Sequence, residues 1–162
     1  MDHRADTGRE LLRHALATVA YRGGKALRGA PEAFAKFRIG GATRPPVKLV
    51  AHVGDLFDWA LLMAQGKSAW KDSEPLPWDQ EVARFFSTLK AFDEYLGSNE
   101  PLHVPVETLF QGPVADALTH VGQLAMLRRV AGAPIRAENY AMAEIVVGRT
   151  GVDQTAPRRE FD

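Results

Sequence analysis

The chain contains no cysteine. Disulfides, thiolate metal sites and cysteine nucleophiles are therefore excluded, and any bound metal must be held by histidine, aspartate or glutamate. Zero cysteine is also compatible with a reducing compartment. A charge imbalance is missing too: 20 basic and 20 acidic residues cancel to a formal net charge of zero. Nucleic-acid binders draw much of their affinity from phosphate neutralisation, so DNA and RNA are not expected as partners. No apolar run approaches the roughly 20 residues of a membrane span. The stretch MDHRADTGRE is polar and has no apolar signal-peptide segment. The expectation is a cytoplasmic protein with no membrane partner. Internal repeats, low-complexity tracts and convincing strands are absent as well.

What remains is an ordinary globular composition, 46% hydrophobic and 25% charged over 162 residues, which suits one domain. Residues 1–162 are read as that domain, with 152–162 as a tail lacking periodicity. A chain of this length buries roughly 70% of its unfolded surface, enough for a core without staples.

Four stretches carry the helical period. Thr7-Gly-Arg-Glu10 reads as a capping box opening the first, and Leu12, Ala15, Leu16, Val19, Gly23 and Leu27 then share a face. The Gly23-Gly24 pair means either a bend or a closely packed neighbour. After the breaker region 38–46, a second helix starts near Pro46 and runs to about Gly66, with Leu49, Val53, Leu56, Ala60 and Met63 as its stripe. The third repeats Val82, Phe85, Phe86, Leu89, Phe92 and Leu96 and ends at Gly97. Residues 98–112 read as a loop with one short turn over Glu107–Phe110. A fourth helix runs from Pro113 to about Ala131, closed by Gly132 and Pro134. Glu138–Val147 reads as a short fifth helix covering one end. The fold class is all-α: an antiparallel four-helix bundle with a short C-terminal fifth helix.

On the fourth helix Asp116 and His120 stand four residues apart and share a face with Ala117, Leu124 and Leu127. A buried carboxylate is costly unless it is paired or coordinates a metal. On the second helix His52 lies between Leu49 and Leu56 on the inward stripe. His52, Asp116 and His120 could converge on one ion, and two histidines with a carboxylate suit a divalent transition metal such as Zn, Ni or Fe. Three protein ligands would leave a position open for water or substrate. The plainer alternatives are a satisfied core histidine and a structural i,i+4 pair. Asp55, one turn after His52, reads as a fourth ligand, an acceptor orienting a histidine, or a solvated helix carboxylate. Gln123 could reach the site or bond within the bundle; Trp59 and Tyr21 could line a pocket or belong to the core. His3, His14 and His103 receive no role. Arg136–Tyr140 and Arg158-Arg159 could cap a pocket mouth, contact a second subunit or lie on the surface.

The stretch Asp116-Ala-Leu-Thr-His-Val-Gly-Gln-Leu-Ala-Met-Leu-Arg-Arg129 resembles the fourth-helix motif of the DinB-like superfamily, a His-x-x-x-His pair followed by Gly-Gln and an arginine-bearing apolar turn. His120 with Gly122-Gln123 matches the second histidine, and His52 in Leu-Val-Ala-His-Val-Gly-Asp-Leu-Phe-Asp-Trp59 matches the family's second-helix histidine. Asp116 departs from the pattern, standing where the first histidine of the pair usually is. The resemblance spans roughly residues 8–150. It implies a metal-dependent enzyme, a thiol-dependent S-transferase or isomerase using a low-molecular-weight thiol whose sulfur meets the metal, acting on a small molecule as a homodimer. The competing class is a non-catalytic metal- or small-molecule-binding stress protein. A DNA-damage role, suggested by the family's name alone, is opposed by the neutral charge.

Overall fold

The computed structural model describes residues 3–161, the side chains of residues 3–6 excepted, and is mostly helical. Four long helices, α1 (His3–Leu27), α2 (Pro46–Ala64), α3 (Trp78–Leu96) and α5 (Ala115–Val130), form the expected all-α bundle. A short α4 (Val106–Leu109) leads through a π turn, Phe110–Val114, directly into α5. The last helical run therefore begins before Pro113, the start that the sequence suggested. α1 likewise begins a turn before Thr7, which lies inside the helix, so the capping box does not mark its start.

Around the bundle the order is α1, α3, α2, α5. α1 and α3 are antiparallel: Arg13 pairs with Asp93 through two hydrogen bonds, and Gly23 packs on Phe85. α2 and α5 are antiparallel too, with His52 beside His120 and Trp59 beside Gly112. α2 and α3 instead run the same way, against the antiparallel bundle expected from the sequence, since Arg84 donates to the Ala51 carbonyl and the Tyr95 hydroxyl to that of Ala64. The connection 65–77 makes this possible. Its thirteen residues reach about 40 Å extended, more than the roughly 28 Å of a 19-residue helix.

Apolar faces from all four helices meet in one core around Leu16, Val53, Phe57, Phe85, Phe92 and Leu124, each fully or almost fully buried. A side chain at Gly23 would begin 2.5 Å from Phe85 Cζ, so the glycine pair marks a closely packed neighbour within an unbroken α1. Gly66, at φ 75°, turns the chain out of α2 where a Cβ would meet His103.

Two polar clusters fix the connections. Arg84 reaches Asp55, Asp58 and Glu81, and Asp55 in turn accepts from the backbone N–H and hydroxyl of Ser73. Burial works against the Arg84 charge, but hydrogen bonds to Asp58 and Asp55 outweigh it and hold the guanidinium above its ordinary range. Asp55 is 2% exposed. It is not a solvated carboxylate; its hydrogen bonds tie the 65–77 connection to α2 and α3.

The second cluster replaces the expected fifth helix. Glu138–Val147 forms one 3-10 turn, Tyr140–Met142, and no α-helix. Two-residue strands β1 (Ala137–Glu138) and β2 (Glu160–Phe161) pair antiparallel, Ala137 opposite Phe161 and Glu138 opposite Glu160. An isolated ten-residue helix is marginal. Here the backbone is held extended because Glu138 accepts from the Tyr21 hydroxyl at 2.6 Å and from Lys25 Nζ at 2.7 Å. Lys25 also reaches Glu160 at 2.8 Å, and Arg22 lies over the Tyr140 ring. The tail is thus pinned to α1 at Glu160.

Candidate metal centre

The π turn sets up one half of the site. Pro113 has no N–H to give the helical ladder, and its ring crowds the carbonyl one turn back. The wider π turn absorbs both defects, and such turns concentrate at functional sites. It delivers Asp116 to the first turn of α5, with His120 one turn on and on the same side. α2 supplies the other half. Pro46 starts it at a position where a missing N–H costs nothing, and His52 falls in its second turn facing α5.

The three side chains meet. His52 Nε2 lies 3.3 Å from Asp116 Oδ2, and His120 Nδ1 lies 3.2 Å from Asp116 Oδ1. The two imidazole rings are 4.7 Å apart. One donor atom from each residue falls within 4.8 Å of the other two, so the group could hold a metal ion. Two ligands bonded at about 2.1 Å to one tetrahedral ion stand about 3.4 Å apart, close to the 3.3 Å between His52 Nε2 and Asp116 Oδ2. His120 Nδ1 also sits 2.8 Å from the Asp116 carbonyl oxygen. Among the described residues no fourth His, Asp or Glu joins the group.

The site is open. Each donor lines a different cavity: His52 a polar one of 310 Å³, His120 an apolar one of 610 Å³, and Asp116 a third beside Trp59 and Gly112. Trp70, from the 65–77 connection, sets its ring edge against both His52, at 5.6 Å, and Trp59, at 5.7 Å. Asp116 is the most exposed of the three donors and His120 the least.

The other sequence candidates fall elsewhere. Tyr21 is buried at the Glu138 contact, and Gln123 lies exposed along the apolar cavity. Trp59 does line the site. His14 is exposed, His103 packs on Gly66, and the side chain of His3 lies outside the described residues. Arg136–Tyr140 and Arg158-Arg159 line none of the three cavities. Arg128, in the arginine-bearing turn, is buried and donates to the carbonyls of Ala26 and Arg28, capping α1. Trp70 went unmarked in the sequence, because a lone aromatic in a Ser- and Pro-containing loop has no periodic signal. Among the described residues no helix is long and apolar enough to cross a membrane. Comparison with protein families, curated proteins and solved structures finds no match to this chain.

Proposed function

We propose that this chain is a metal-dependent enzyme of the DinB-like kind, with His52, Asp116 and His120 holding one divalent transition ion, Zn, Ni or Fe. The observation that carries this reading is the convergence of three donors from two helices, beside open cavities and with no fourth protein ligand among the described residues. The donor set fits the group, since imidazole and carboxylate together suit those ions. A divalent ion held there would supply Lewis acidity, lowering the pKa of a bound water or thiol or polarising a carbonyl.

The chain's own residues do the positioning. The Asp116 carbonyl orients the His120 ring, Trp70 walls one side of His52, and open cavities adjoin both histidines. A low-molecular-weight thiol as one reactant, in S-transfer or isomerisation, follows from the sequence resemblance. A closed structural ion is the less favoured reading, because Asp55, the candidate fourth ligand, is committed to Arg84 and Ser73.

Metal analysis of protein purified without chelator, and after reconstitution with Zn, Ni or Fe(II), tests the reading. About one equivalent is expected in the wild type and none in His120→Ala of unchanged helicity. Equal metal content in the two proteins overturns it.

A further inference from the structure

The polar and apolar cavities meet at Thr43 and Arg44, which line both. The turn that carries them is internally braced. Arg38 donates to the Thr43 carbonyl at 2.6 Å, Thr43 Oγ1 donates to the Gly40 carbonyl, and the Ile39 N–H donates to Thr43 Oγ1. Arg44, Lys48 and His52 follow at four-residue intervals, so Lys48 and His52 share a face of α2 and Arg44 lies just before its first turn. The N-terminal end of α2 adds a field of the same sign.

Charge in the polar cavity is uneven. Arg38, Arg44 and Lys48 are set against Asp72 and Glu74 of the 65–77 connection, leaving one positive charge in excess before His52 is counted. None of these three cations forms a salt bridge among the described residues. On the other side of Arg44, the 610 Å³ cavity runs past Ile39, Leu49, Met126 and Leu127 to His120. Ile39 and Met126 are exposed, at 55% and 61%. Ligand sites are typically clefts of this size with an apolar lining and a few placed polar groups.

We infer that the site takes a small organic anion with an apolar body: its carboxylate or phosphate at Arg44 and Lys48, and its hydrocarbon along the apolar cavity toward His120. This deepens the proposed function and rests on it for what happens at the donors, whereas the binding step rests on the cavities alone.

The test is calorimetric titration of the full chain with octanoate, octanol and octylamine, with and without added Zn, alongside a direct Zn titration. Octanoate should bind roughly tenfold tighter than octanol, a charge-assisted contact being the difference. From butyrate to octanoate the affinity should rise about fourfold per methylene. Arg44→Gln should remove the preference for octanoate and leave octanol unchanged, while Met126→Ser should weaken both. Octylamine binding best would mean that Asp72 and Glu74 dominate, and would overturn the inference, as would octanoate no tighter than octanol. Zn binding without octanoate binding sinks this inference and spares the metal reading. Octanoate binding without Zn binding does the reverse.

Discussion

His120 Nδ1 stands 2.8 Å from the backbone carbonyl oxygen of Asp116, one helical turn behind it. A carbonyl can only accept, so Nδ1 carries the hydrogen and the lone pair of the neutral ring is left on Nε2. Asp116 thus acts twice, orienting its neighbour with its main chain and offering a ligand with its side chain. A residue change there alters only the second role.

Asp116→Asn should therefore keep the His120 orientation and weaken metal binding, by at least about tenfold. Asp116→His should keep binding, since imidazole replaces one ligand type with another. Competition against a chromogenic chelator measures both. Equal affinity in wild type and Asp116→Asn would show that the carboxylate is no ligand.

The glycine pair in α1 offers a contrast between neighbours. At Gly23 an added Cβ meets the fully buried Phe85 ring at 2.5 Å, whereas at Gly24 the nearest atom, on Phe86, is 3.5 Å away. Gly24→Ala should stabilise by about 1 kcal/mol through helix propensity. Gly23→Ala should destabilise by about 1–3 kcal/mol through overpacking, despite the same propensity gain. Urea denaturation of the two variants should move the midpoint in opposite directions.

Removing Arg84 leaves Asp55 and Glu81 buried without their cation. Arg84→Met should cost about 3 kcal/mol or more. It should also loosen the 65–77 connection, because Asp55 holds Ser73. Thermal denaturation reads the first effect, and hydrogen exchange at Ser73 the second. Loss of stability with Ser73 still protected would show that the connection is held by other contacts.

The cluster at Tyr21 responds to pH. Burial, then the hydrogen bond to Glu138, raises the Tyr21 hydroxyl above its ordinary value of about 10. For Lys25 burial pulls the other way, but the hydrogen bonds to Glu138 and Glu160 outweigh it and the ammonium is raised as well. Groups raised on folding contribute fully below their ordinary values and lose that contribution as pH climbs through the folded ones. Glu160 has the opposite sign, its carboxyl being lowered by the Lys25 hydrogen bond, so its contribution is lost on acidification. The stability gap between wild type and Tyr21→Phe should be steady near pH 8 and shrink toward pH 11. A gap that is constant over that range would contradict the assignment.

Much of this was legible in the residues. The stripes through Leu16, Val53, Phe85 and Leu124 specify helices, and the four-residue step from Asp116 to His120 specifies a shared face whatever the tertiary arrangement. Less local features were not. Whether α2 and α3 run parallel depends on how far the 65–77 connection travels, which composition does not encode. Asp55 looked like a surface carboxylate because Arg84, its partner, lies 29 positions away. Residues 138–147 read as a helix because two-residue strands are too short to show alternation, and what holds Glu138 is a contact 113 positions away with Lys25.

The contact between Lys25 and Glu160 spans 135 positions. During synthesis α1 emerges well before Glu138 and Glu160, so Tyr21 and Lys25 wait for partners more than 100 positions away. The bundle helices can associate before those partners emerge, but β1 has no partner until β2 arrives. Closing so large a loop is slow relative to helix formation. The cluster of Lys25, Glu138 and Glu160 thus forms after the bundle helices can meet, and until then both carboxylates are free to draw other cations.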